Sequence, residues 1–183
     1  MKRWLKIFGV GLILLSFLSV AYAQEFQQNL LFNYDFGAVD TATGIPAAWD
    51  VEDSSQVDNK VVAWDGDFGH NTYGSLKIAT WDPIKSTINY VEVVDAKPGD
   101  NLAFVVWVKT ELVKGNGART KIVYLKGEDV IGEKTTNFLS GTSSWKKFSI
   151  TDKVPEGVTG IKVILEFDGQ GIAWYDDVSL VLQ

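Results

Sequence analysis

The chain has 183 residues, with 17 Lys and Arg against 23 Asp and Glu, a single histidine and no cysteine. The missing cysteine excludes disulfides, thiolate metal centres and a cysteine nucleophile, and one histidine excludes a histidine cluster for zinc. A net charge of −6 argues against nucleic acid or an anionic membrane as partner, because both select clustered Lys and Arg.

In chain order, Lys2, Arg3 and Lys6 come first, an apolar run extends from Ile7 to Val20, and Ala21-Tyr22-Ala23 closes it with small residues. This order predicts a secretory signal peptide over residues 1–23. The run is too short for the roughly 20 residues that a membrane-spanning helix needs, so an exported protein without stable membrane insertion after cleavage is expected. Residues 24–183 then form a single domain, long enough to fill one core. They carry 14 basic and 23 acidic side chains, a net charge of −9, and Arg119 is the only arginine among them. Bidentate clamps for anionic groups cannot be built in number from one arginine, so a sugar ligand is expected to be neutral.

From Gln24 onward the chain reads as β-branched and aromatic runs separated by turn residues, with no sustained helical period. Strands are expected at 30–34, 47–52, 60–64, 75–80, 87–94, 102–110, 120–126, 134–139, 145–151, 160–167 and 172–182. Lys97-Pro98-Gly99-Asp100, Lys114-Gly115-Asn116-Gly117, Pro155-Glu156-Gly157 and Asp168-Gly169-Gln170-Gly171 supply turn chemistry between them. Along 160–167, Ile161, Val163, Leu165 and Phe167 share one face, while Lys162, Ile164, Glu166 and Asp168 share the other. One side of that strand is wet. Many short strands in 160 residues predict an all-β fold, a two-sheet antiparallel β-sandwich with jelly-roll topology.

Several segments carry a resemblance. Asn29-Leu30-Leu31-Phe32-Asn33-Tyr34-Asp35-Phe36 with Gly44 and Trp49, then Gly74-Ser75-Leu76-Lys77-Ile78, then Lys97-Pro98-Gly99-Asp100-Asn101-Leu102, and finally Trp174-Tyr175-Asp176-Asp177-Val178-Ser179-Leu180 resemble, in order, the motifs of carbohydrate-binding modules of the family 4, 9 and 22 group, which are galactose-binding-like jelly rolls. The resemblance implies carbohydrate binding, and core positions for Trp49, Trp107 and Trp145. It also implies a structural calcium ion between the opening segment and the last strand. Asp176 or Asp177 matches one part of that site, whereas the family's glutamate position is Gly37 here. Asp35 or Asp40 is the expected substitute, because calcium takes six to eight hard oxygens.

A sugar ring offers an apolar C–H face and a rim of hydroxyls, so its site needs a flat aromatic beside polar partners. The stretch from Trp64 to Tyr73, with Trp81 shortly after, concentrates such groups around glycine turns. Trp64, Tyr73, Trp81 and Tyr90 are therefore the candidate platforms, with His70 and Asn71 as hydrogen-bonding partners. The same stretch also fits an apolar loop tucked against the sandwich. Asp65-Gly66-Asp67 lacks the remaining ligands of an EF-hand, and no nucleophile elbow, phosphate loop or His-Glu-x-x-His motif occurs. The expected function is non-catalytic binding of a neutral polysaccharide. The alternatives are a self-assembling extracellular subunit, with calcium as a promoter of assembly, and a small jelly-roll glycanase or lyase.

Overall fold

The computed structural model describes residues 28–183; the expected signal peptide lies outside them. The elements are β1 (Trp49–Val51), α1 (Ser55–Asp58), β2 (Val62–Asp65), β3 (Ser75–Tyr90), β4 (Val94–Asp95), β5 (Asn101–Lys126), β6 (Asp129–Thr135), β7 (Leu139–Lys153) and β8 (Gly160–Leu182). Every pairing between strands is antiparallel.

The three long strands bend in concert and so serve both layers of the sandwich. Their first layer runs in the order β2, the start of β3, the end of β8, the start of β5, and β7. The second runs β1, the end of β3, the start of β8, the end of β5, and β6. Register shifts at Thr80/Ile84 in β3 and at Glu111/Lys114 and Gly115/Gly117 in β5 mark the crease. Here the structure corrects the expectation that 114–117 and 168–171 are turns between separate strands. The glycines act as kinks inside continuous strands, which is how a strand passes from one sheet to the other. Gly171 shows the requirement: its φ is +117°, and a β-carbon there would fall 2.7 Å from Val113 Cα.

Both inner faces feed one core. Leu76, Ile78, Leu102, Phe104, Val106, Val108, Tyr175, Val178 and Leu180 face Ile88, Ile122, Tyr124, Ile161, Val163, Leu165 and Phe167, all buried. The expected two-faced pattern of 160–167 holds, because Lys162, Ile164 and Glu166 are only partly buried on the outer side.

The expected strand at 30–34 is instead a turn. Asn33 and Phe36 take positive φ, and the Asn33 amide holds the backbone of Ala38 and Ala47 with bonds of 2.8 Å. An Asn side chain that satisfies local backbone groups competes with a strand ladder. This turn lies along the end of β8, through Leu30 N–H to Leu180 O at 2.9 Å and Val178 N–H to Tyr34 O at 2.8 Å.

Candidate functional site

The connection from Gly66 to Gly74 folds back over the outer face of the first layer, and an aromatic floor receives it. Phe68 stacks on Trp145 at 5.9 Å and tilts against Trp174 at 5.3 Å, while the His70 ring stacks on Trp107 at 3.9 Å. Lys77 and Lys109 place their ammonium groups 5.6 and 5.7 Å from the Trp174 ring. Trp107 and Trp145 are thus not in the core, as the resemblance implied, but half-buried beneath a loop. Their strand positions give the reason. Trp107 alternates with the inward Val106 and Val108, so its side chain faces outward. Trp49, in contrast, is buried in the core beside Phe36 and Tyr90.

Two successive acids hold the loop down. Residues next to each other on a regular strand point to opposite faces, yet Asp176 and Asp177 both serve this loop. The pairing of β5 with β8 shifts register between Val105 and Trp107, and Asp177 takes φ +47°. The resulting bulge turns both carboxylates to one side. Asp176 accepts the His70 backbone N–H at 2.5 Å; Asp177 accepts Asn71 Nδ2 and pairs with His70 Nδ1, each at 2.7 Å. Beside Gly69 three oxygens converge: a β-carbon there would meet Thr72 O directly and lie 2.7 Å from Gly74 O and 3.0 Å from Asp176 Oδ2.

Burial raises the Asp176 carboxyl to about 7, against the lowering effect of the His70 and Asp177 backbone N–H groups. The folded value exceeds the unfolded one, so the stability tied to this proton is complete below the unfolded value and is lost as pH rises through about 7. In the presence of a chelator, wild type should therefore lose stability relative to Asp176→Asn between pH 4 and pH 8. Urea midpoints of the two proteins across that range check this, and a constant difference would contradict it.

The other expected site residues divide into exposed and structural groups. Trp81 is 72 % exposed and Tyr73 81 % exposed. Trp64 is partly buried, with Nε1 donating to Phe36 O at 2.8 Å. His70 and Asn71 are engaged with Asp177 as described. Tyr90 is not a platform: it is 1 % exposed, and its hydroxyl accepts the Phe32 N–H at 2.9 Å. It ends β3 on the inward face, in step with Ile88. Asp35 and Asp40 do not join Asp176 and Asp177. Asp35 accepts Gly37 N–H at 3.2 Å, and Asp40 accepts Ala42 N–H at 2.8 Å. Among the described residues no group of three or more His, Asp or Glu side chains is placed to hold a metal.

Trp81 stands on the crease. The β3 bulge carries it opposite the kink of β8, where Thr80 pairs with Gly171 and Ile84 with Gly169. Thr80 Oγ1 donates to Asp82 O at 2.8 Å and accepts Asp82 N–H at 3.2 Å, fixing the bulge from within. Gln170 lies across from it on β8 and is the register partner of Lys114 on β5. An exposed indole on a braced strand is the flat surface a sugar requires, with Asp82, Gln170 and Lys114 close by in the register.

No protein-family model and no curated protein matches the chain. Solved structures do. The enzymatically active domain of bacteriophage CBA120 tailspike protein 4 is similar over 85 % of this chain, with a TM-score of 0.62 and 15 % identity, and the match spans 21 % of that protein. TmCBM61 in complex with β-1,4-galactotriose is similar over 86 % of this chain and 100 % of its own length, with a TM-score of 0.59 and 17 % identity. A family 4 carbohydrate-binding module is similar over 84 % of this chain and 99 % of its own, with a TM-score of 0.52 and 20 % identity. The likeness at these identities is one of fold: the chain has the jelly roll found in carbohydrate-binding modules.

Proposed function

We propose that this chain is an exported, non-catalytic carbohydrate-binding domain that holds a neutral polysaccharide by stacking a sugar ring on Trp81. The observation that carries the reading is the braced, exposed indole on the crease. Leaving most of an indole in water forgoes on the order of 2 kcal/mol of burial, and a sugar's C–H face covers such a ring without a change in the fold. The ordered motifs add the finer assignment to the family 4, 9 and 22 group. Retention of the Trp81→Ala variant on immobilised neutral polysaccharides is the test.

A structural calcium ion belongs to the same reading. The oxygens beside Gly69, one buried carboxylate and two carbonyls, are donors of the kind calcium prefers and would supply three of its six to eight ligands. Asp176, Thr72 and Gly74 would hold it in place of the set that included Asp35 and Asp40. A bound cation would neutralise the buried Asp176 carboxylate and fasten the loop to β8.

A second reading, that of an assembling extracellular subunit, is favoured by the opening turn. Leu30, Phe32 and Tyr34 are exposed along a groove of about 710 Å3. Its Asn29, Asn33 and Asp35 side chains are engaged within the fold, and Leu30, Phe32 and Tyr34 supply its apolar surface. Contiguous apolar surface of this kind marks protein contacts. Under this reading Phe32→Ser should abolish any polymer seen by light scattering while leaving polysaccharide retention intact; a polymer unchanged by Phe32→Ser would remove the support for it.

A further inference from the structure

The geometry points to a second ligand site, for the carboxylate of an acidic sugar, on the outer face of the second layer. A cleft of about 160 Å3 opens there between β3, β8, β5 and the segment after β6, with Lys85, Thr87, Arg119, Phe138, Glu166 and Asp168 at its walls. Three strands supply all of these side chains but Phe138 from one face. Arg119 pairs with Glu166 in the register of β5 and β8, and Lys85 pairs with Asp168 in that of β3 and β8.

Arg119 is held as a binding arginine is held. Its Nε donates to Glu166 Oε2 at 2.6 Å, its guanidinium lies 4.4 Å from the Phe138 ring centroid, and its Nη groups donate to no acceptor among the described residues. The planar fork is therefore fixed on one edge and one face and open on the other edge, which is the geometry that receives a carboxylate through two parallel bonds. Glu166, the anion nearest to it, is already matched on its far side by Lys121 at 2.9 Å. Lys85 makes no salt bridge among the described residues.

Charge around the cleft is balanced: Lys85, Arg119 and Lys121 stand against Glu166, Asp168 and Glu133. Lys85 is exposed, and Glu133, 3.6 Å from Lys121, is 53 % exposed, so both of these charges are well screened. Asp168 is occupied by Asn116 Nδ2 at 2.8 Å. In a chain of net charge −6, the sole arginine among the described residues sits where the local charges balance, with its open edge unmatched. The expectation of an exclusively neutral ligand is thereby extended: a uronic-acid residue would place its carboxylate on the Arg119 fork, with Lys85 beside it.

The test uses tetragalacturonate and its methyl ester as paired probes, titrated by calorimetry into full-length mature protein in chelator at low ionic strength. Wild type should bind the free acid and lose at least about tenfold in affinity for the ester, which lacks the charge that strengthens such bonds. Arg119→Lys keeps the charge but not the fork, and should weaken the acid by about tenfold or more with its thermal transition retained. Lys85→Gln, an exposed change that leaves the Arg119–Phe138 contact intact, should weaken it severalfold and reports even if the arginine variant fails to fold. Equal binding of acid and ester, no binding of the acid by wild type, or wild-type affinity in both variants would overturn the proposal. Trp81→Ala should leave acid binding in place, so failure here and failure of the neutral-polysaccharide reading are separate results.

Discussion

Replacing Trp81 by alanine should weaken retention on the cognate neutral polysaccharide by about 1–3 kcal/mol, roughly 5- to 150-fold, while stability changes by no more than about 0.5 kcal/mol. Both halves of this expectation follow from one fact. The indole is 72 % exposed, so its removal opens no cavity, and the bulge beneath it is fixed by Thr80 Oγ1 rather than by the ring. Phenylalanine at 81 should restore part of the affinity, because a smaller aromatic face still stacks. Trp107→Ala provides the contrast. That ring is the surface on which His70 stacks at 3.9 Å, so its loss should lower the melting temperature and release the 66–74 connection. Affinity electrophoresis of the three variants, with calorimetric melts of the same samples, separates a ring that binds from a ring that holds a loop. Unchanged retention in Trp81→Ala would remove the indole from the site.

Saturating calcium should raise the melting temperature by about 5–10 °C over the same protein in chelator, and Asp176→Asn should erase the difference. An ion that binds only the folded state adds RT ln(1 + [L]/Kd), about 2.7 kcal/mol at a hundredfold excess over Kd, and a domain of this size moves by roughly 2–4 °C per kcal/mol. Asp177→Ala should behave differently. It removes the partner of His70 Nδ1 and Asn71 Nδ2, which lowers the melting temperature with or without calcium but leaves the calcium increment. A chelator without effect on wild type would show that the oxygens beside Gly69 form a loop anchor and nothing more.

Much of the architecture is legible from residue order, because strand alternation and turn chemistry are local. The inward set Ile161, Val163, Leu165 and Phe167 is an example. What escaped depends on partners distant in sequence. Gly169 and Gly171 read as a turn, yet β3 and β5 bend beside them, so the ladder continues through the kink. Tyr90 has the chemistry of a platform, but its place beside Trp49 and under Phe32 is set by the pairing of β1 with β3. The joint role of Asp176 and Asp177 rests on a bulge that no spacing rule announces. For Trp107 no local signal was available, because Ala103, Val105 and Trp107 are as apolar as Phe104, Val106 and Val108 on the other face. Arg119 and Glu166 fall on wet strand faces, but only the β5–β8 register makes them neighbours.

The most direct test of the central claim is a heteronuclear NMR titration of the mature protein with a soluble oligosaccharide of a polysaccharide it retains. A sugar on the crease should shift the Trp81 indole N–H and the backbone amides of Asp82, Gln170 and Lys114, and leave the Trp64 and Trp174 indoles, bonded to Phe36 O and Asp65, nearly unmoved. Shifts confined to residues 30–34, or a Trp81 signal that stays fixed at saturation, would contradict it.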